Sequence, residues 1–224
     1  MISRLRGCPL FADMSTDDIE KCLQDSQSTV VTYEKDEMVF CQKDEPKHLL
    51  ILLEGMVSIC HDSSSGSRSI MAAFDQSGEL FGEVFLFLHR VEYDYYARAL
   101  SPAKILQIPK AFFDHSYEGK GDYHAKLISN MLSILAQKAY YLNQKLQILS
   151  CTTLRKKIAK LLLQNCSTDG KVSLSMNREE LADFLNAARP SLSRELMKMH
   201  EEGLLDIKKR EIYIRDMQRL ESCV

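Results

Sequence analysis

The stretch "LADFLNAARPSLSRELMKMHEEGLLDIKKREIYIRD" (181–216) decides the fold of the C-terminal part. Together with the preceding "NREE", "LADFL" has the apolar spacing of a short helix capped by Asn177, with Leu181, Phe184 and Leu185 turned inward. "NAA" supplies a tight turn of small residues where two helices cross closely. Pro190 then falls in the first turn of a second helix, where a missing N–H costs nothing. That helix buries Leu192, Leu196 and Met199. Its other face carries Arg189, Ser191, Ser193 and Arg194, with no carboxylate before Glu195. Gly203 stops it, and the pattern continues as a β-hairpin, Leu205–Ile207 with Glu211–Ile214, tipped by Lys208, Lys209 and Arg210. Helix, turn, helix and basic-tipped hairpin make a winged helix-turn-helix. Arginine matches the O6/N7 edge of guanine and serine reaches bases or phosphates, whereas hairpin cations bind phosphate without reading sequence. A solvated helix face would explain the arginines alone, but not their combination with the turn and the wing. Double-stranded DNA is therefore the expected partner of all seven residues.

The bulk numbers fit a two-part chain. Its 224 residues are 45% hydrophobic and 27% charged, enough for one large or two ordinary cores, and its formal net charge is only −2. The charge is uneven. From Ser150 onward there are 14 Lys and Arg against 11 Asp and Glu, while the remainder has 15 against 20. A slightly basic C-terminal part beside an acidic N-terminal part suits a protein whose tail meets an anion. Seven cysteines are scattered without a CxxC pair, as expected of reduced cytosolic thiols. The N-terminus lacks a long apolar segment and no run of 18 apolar residues occurs, so the expectation is a cytoplasmic protein with no membrane partner.

The N-terminal part has another texture. "MSTDDIEKCLQ" (14–24) predicts a short helix capped by Ser15 or Thr16. From Ser28 to about Ile108, "STVVTYE", "EMVFCQ", "HLLILLEG", "MVSICHD", "RSIMAAFD" and "YARALSPAKILQI" are short β-rich runs separated by turn residues. They predict an antiparallel barrel or jelly roll, interrupted by one helical turn at "LFGEVFLF". From Tyr123 to Leu149 neither Pro nor Gly occurs. Ile128, Leu132, Leu135, Ala139, Leu142, Leu146 and Leu149 form a heptad-like seam beside a second stripe, Leu127, Met131, Ile134, Tyr141 and Ile148. A helix with two apolar faces needs two partners: its own β domain and a twin helix in a homodimer. Ser150, Thr152 and Thr153 in "SCTTLRKKIAKLLLQNC" are cap candidates, placing a hinge there. The expected class is α+β, divided as 1–122, 123–149 and 150–224.

With these elements in place, nearly the whole chain resembles the cyclic-AMP receptor protein and fumarate–nitrate-reduction regulator (Crp–Fnr) family of bacterial transcription factors. "LLILLEGMVSI" and "GELFGEVFLF" are similar to its cyclic-nucleotide-binding β-roll and effector cassette, and "AARPSLSRELMKMHEEGLL" to its recognition helix. The resemblance implies an allosteric homodimer on a palindromic site, contact with RNA polymerase, and Arg189, Ser191 and Arg194 as the main DNA contacts. It also implies an effector pocket at Gly82, Glu83, Tyr93, Asp94, Leu142 and Asn143. In cyclic-AMP-binding members a Gly-Glu pair is followed by Arg and then Ser or Thr, the arginine meeting the cyclic phosphate. Here the later positions are in "EYDYYARA" (92–99), where Tyr93 and Asp94 replace the guanidinium and the hydroxyl. A phosphate placed there would lose its countercharge, so the expected effector is not cyclic AMP. Arg98 is expected on the opposite strand face, and Phe85, Phe87, Tyr93, Tyr95 and Tyr96 suit a less charged or aromatic ligand.

No cofactor or metal is expected. Cys8 and Cys22 do not make an iron–sulfur ligand set, and Cys60, His61 and His89 are haem candidates by residue type only. No Walker A, GxSxG or HExxH motif marks an enzyme. The rival reading is a ligand- or metal-binding, cupin-like jelly roll whose helical tail makes protein contacts. It would want an HxH pair with a following Glu, whereas His48, His61, His89 and His115 are isolated.

Overall fold

The computed structural model describes residues 2–62, 68–88, 90–113, 122–174, 176–208 and 211–224 (residues 3, 68 and 122 by backbone alone). The chain forms two compact units, Met1–Ala136 and Gln137–Val224. The first begins with α1 (Ile2–Leu5) and α2 (Thr16–Asp25). Ser15 caps α2: its hydroxyl accepts the Asp18 N–H at 3.1 Å, and the Asp18 carboxylate accepts the Ser15 N–H in return. Eight strands follow: β1 (Thr29–Tyr33), β2 (Met38–Phe40), β3 (His48–Glu54), β4 (Val57–Asp62), β5 (Arg68–Phe74), β6 (Leu80–Phe81), β7 (Tyr96–Ala99) and β8 (Ala103–Pro109). The helical turn α3 (Glu83–Phe87) sits between β6 and β7.

The strands form two antiparallel sheets of four, ordered β1-β8-β3-β6 and β2-β7-β4-β5. The unbroken apolar run of β3 follows from its position between two cores. Leu49, Ile51 and Leu53 pack into a cluster with α2 and α4 (Asp122–Leu149), while Leu50 and Leu52 face the roll interior with Tyr33, Phe40 and Ala97. β3 and β4, consecutive in sequence, lie in different sheets. The chain crosses between them at Gly55, whose φ is +90°. A Cβ there would lie 2.2 Å from the Pro102 carbonyl oxygen, so only glycine fits.

The second unit contains α5 (Leu154–Gln164), β9 (Lys171–Val172), α6 (Arg178–Phe184), α7 (Arg189–Glu201), β10 (Leu205–Lys208), β11 (Glu211–Ile214) and α8 (Met217–Glu221). Thr153, of the three candidates, caps α5 by accepting the Lys156 N–H at 3.2 Å. Asn177 caps α6 in a reciprocal box with Glu180. Asn186 takes a left-handed φ of 49° in the turn before α7, a conformation asparagine tolerates, and Gly203 at φ 77° ends α7. The wing has three strands in the order β10-β11-β9, one more than the hairpin expected from sequence.

Helix α4 runs unbroken from Asp122 to Leu149, but the division between the compact units falls inside it. The boundaries expected at 122/123 and 149/150 do not coincide with that division. Tyr123, Leu127, Met131 and Ile134 are core residues of the first unit, and Ile148 is a core residue of the second. The long helix is therefore shared between the two units rather than forming a third body.

Candidate nucleic-acid interface and effector pocket

Helix α7 has two chemically distinct faces. Leu192, Leu196 and Met199 are at most 2% exposed and anchor the helix in the core of the second unit. Arg189, Ser193 and Arg194 are exposed and Ser191 is half-buried, all in its first two turns. Among the described residues Arg194 bonds only within its own helix, its Nε donating to the Pro190 carbonyl at 3.3 Å. Arg189 stands 3.9 Å from Glu179, an exposed pair of the kind worth little energy. On the wing, Lys208 is exposed and sits 3.5 Å from Asp206. Lys209 and Arg210, expected at the wing tip, lie outside the described residues.

Beside α7 runs a groove of about 1100 Å³ lined by Lys171, Asn177, Arg178, Glu179, Arg189 and Glu211, among others. Lys171 is neutralised by Glu211 at 2.7 Å. Arg178 is different: its Nη1 is buried and has no hydrogen-bond partner among the described residues, and burial pushes its guanidinium below the usual arginine range. Sequence reasoning treated "NREE" as a cap and passed over this arginine. The available signal was a cation placed directly after the Asn cap of the first helix of the motif.

In the β-roll, Gly82 and Glu83 open α3. Gly82 has φ 75°, and a Cβ on it would come within 3.6 Å of the Tyr93 ring and hydroxyl. Glu83 is buried, 3% exposed. Tyr93 lies inside the roll, stacked on Phe40 with ring centroids 3.8 Å apart and met edge-on by Phe85 at 5.2 Å. Burial, followed by the nearby charges of Asp44 and Glu83, pushes its phenol up to about 12.

Asp94 does not share this place. It is exposed and paired with Arg90 at 3.4 Å, because the chain reaches strand geometry only at Tyr96 and Asp94 turns to solvent. The acid near the Tyr93 phenol, besides Glu83, is Asp44. Arg98 points away from the roll interior, as strand alternation predicts, and pairs with Asp36 at 3.2 Å. The five expected pocket aromatics separate. Phe85 and Tyr93 stay together and Tyr95 meets Phe85 edge-to-face, but Phe87 packs on Phe113 in the other core and Tyr96 donates to Asp62 at 2.9 Å.

On α4, the seam residues Leu132, Leu142 and Leu146 are 63%, 62% and 66% exposed. Ala139 is exposed as well, and Ile128, Leu135 and Leu149 are half-buried. Asn143 is exposed on the same stretch of helix. Tyr141, expected on the inward stripe, is also exposed. His48 and His61 lie on strands of different sheets, and His89 and His115 fall outside the described residues. Cys41 is exposed, whereas Cys60 is buried in the roll. Among the described residues no helix is long and apolar enough to cross a membrane, and no three His, Cys, Asp or Glu side chains gather as a metal site.

A β-roll followed by a long helix and a winged helix-turn-helix defines a transcriptional regulator with a DNA-binding domain of the helix-turn-helix type. Comparison with known proteins agrees. Residues 30–118 match the family model described as cyclic nucleotide-binding domain, and residues 156–223 match the Crp-like helix-turn-helix domain. The cyclic AMP receptor protein of Thermus thermophilus is 24% identical over 97% of both chains. The nitrogen fixation regulation protein FixK of Azorhizobium caulinodans is 22% identical over 87% of this chain and 79% of its own. Among solved structures, CprK complexed with OCPA is similar with a TM-score of 0.61 and 17% identity, covering 92% of this chain and 94% of that one. The chain belongs to the Crp–Fnr family of transcription regulators.

Proposed function

We propose that the protein regulates transcription as a homodimer on a palindromic DNA site, under control of an effector other than cyclic AMP. The observation that carries the DNA reading is the two-faced α7, with an apolar stripe locking it down and Arg189, Ser191, Ser193 and Arg194 presented at its leading end. In this reading Arg189 and Arg194 meet guanine edges, Ser191 and Ser193 meet bases or phosphates, and Lys208, Lys209 and Arg210 bind the backbone. Arg178 joins them as a phosphate contact, because an incoming anion would satisfy its Nη1, which is unpartnered among the described residues.

Residues 1–122 would sense, 123–149 dimerise and 150–224 bind DNA. The twin helix is supported by exposed leucines repeated along α4, since apolar side chains in a heptad-like seam gain by burial against a like surface. Two copies then place two α7 helices in successive major grooves, roughly 34 Å apart. The site of action is the cytoplasm, and RNA polymerase is the expected second protein partner.

For the effector, Tyr93 supports the case against cyclic AMP. Its ring is stacked where the resemblance puts the phosphate, and the two nearest arginines in sequence are engaged elsewhere, Arg90 with Asp94 and Arg98 with Asp36. A cyclic phosphate would have to displace a buried aromatic ring and meet the acids Glu83 and Asp44. Gly82, Glu83 and Tyr93 then frame a site for an uncharged or aromatic compound; Asp94 drops out of it. Thermal unfolding tests this, because a ligand of the folded state raises the melting temperature. Cyclic AMP and cyclic GMP are expected to leave it unmoved, and an aromatic or uncharged metabolite to raise it. A clear rise with cyclic AMP would overturn the effector assignment. The DNA assignment stands apart from that outcome, being tested by a steep loss of duplex affinity as salt rises.

A further inference from the structure

One guanidinium in the second unit engages two carboxylates of α7 and its C-cap at once. Arg155 lies in the first turn of α5, two residues after the Thr153 cap. Its Nε donates to Glu195 Oε1 at 2.6 Å. Its Nη1 and Nη2 donate to the two carboxylate oxygens of Glu202 at 2.7 and 2.8 Å. Glu195 follows directly on Arg194 in α7, and Glu202 caps the C-terminal end of the same helix. A single side chain from the start of α5 therefore grips α7 at two points two turns apart. The three side chains are each about one-quarter to one-third exposed, so water screens them incompletely.

The geometry points to Arg155 as the positioning residue for DNA reading: it fixes α7 to the turn at residues 150–153 and holds the Glu195 carboxylate away from the phosphate backbone. This rests on α7 being the DNA-reading helix. Two consequences follow from the chemistry. The planar fork spans two carboxylates, which the point charge of lysine cannot do, so Arg155→Lys keeps the charge and loses the second anchor. When the grip is lost, α7 can rock on its apolar stripe. Base-edge contacts, which need tight placement, then suffer, while long flexible contacts to phosphate survive. Glu195, once released, adds a negative charge next to Arg194.

The test uses the full-length protein and a duplex selected by the wild type from random sequence, with a scrambled duplex of equal length as the non-specific probe. Wild type, Arg155→Lys, Arg155→Met and Glu202→Gln are compared for affinity to both duplexes, for the salt dependence of each, and for melting temperature. The expected result for Arg155→Lys is a loss of about tenfold in affinity for the selected duplex, the size of one charge-assisted bidentate pair. Scrambled-duplex affinity and the salt slope should stay as in wild type. Glu202→Gln should fall in the same direction and by less. A lower melting temperature with an unchanged ratio of selected to scrambled affinity would reduce Arg155 to a structural ion pair and overturn the inference. A salt slope smaller by about one in Arg155→Met would make it a direct phosphate contact and overturn it as well. If wild type itself failed to prefer any duplex, the DNA-reading role of α7 would fall, a result distinguishable from either of these.

Discussion

Helices α4 and α7 are both amphipathic, and both leave one face uncovered within the chain. What they leave uncovered is opposite in kind. The open face of α4 presents Leu132, Leu142 and Leu146, whereas the leading end of α7 presents two arginines and two serines. An uncovered apolar seam is stabilised by a like seam; an uncovered cation-and-hydroxyl cluster is stabilised by a polyanion. Periodicity alone finds both helices, but only the chemistry of the exposed face tells a protein partner from a nucleic-acid one.

The largest effect expected from this contrast comes from charging the seam. Leu142→Glu with Leu146→Glu should give monomers in sedimentation equilibrium and cut affinity for a palindromic duplex by more than about a hundredfold, through loss of two-site avidity. A dimer that survived both changes would remove α4 from the interface. Next in size is Arg189→Ala, expected to relax discrimination at one base pair by about 1–3 kcal/mol. Equal weakening on every sequence would demote Arg189 to a backbone contact, and the two faces of α7 would no longer separate reading from anchoring. The smallest is Lys208→Ala, which should weaken all duplexes alike and lower the salt slope by about one. A change in sequence preference there would extend base reading to the wing.

Most of the framework was legible because it rests on local chemistry. The Ser15 cap (one of two candidates), the Asn177 cap, Pro190 in a first turn and Gly203 after a last one are all short-range devices, and each is found where expected. β6 and β9 escaped because two residues carry no period. Asp94 was placed in the pocket by its position in the family resemblance, but it precedes β7 by two residues and turns to solvent beside Arg90. Asp44 and Arg155 were invisible for another reason. Their significance comes from partners far away in sequence, Tyr93 for the first and, for the second, carboxylates 40 and 47 residues on. Arg178 was hidden by its own neighbours, which had already been explained as a cap.

The sharing of α4 between the two units has a practical consequence for taking the molecule apart. A C-terminal fragment cut at the turn, starting from Ser150, would lack Ile148, which is 1% exposed in the core beneath α7. Deleting an aliphatic side chain of that size from a packed core costs about 2–5 kcal/mol, a large share of what a small domain has to spare. The natural place to divide the chain is within the helix, near Gln137, where the second unit keeps the turns it is packed on.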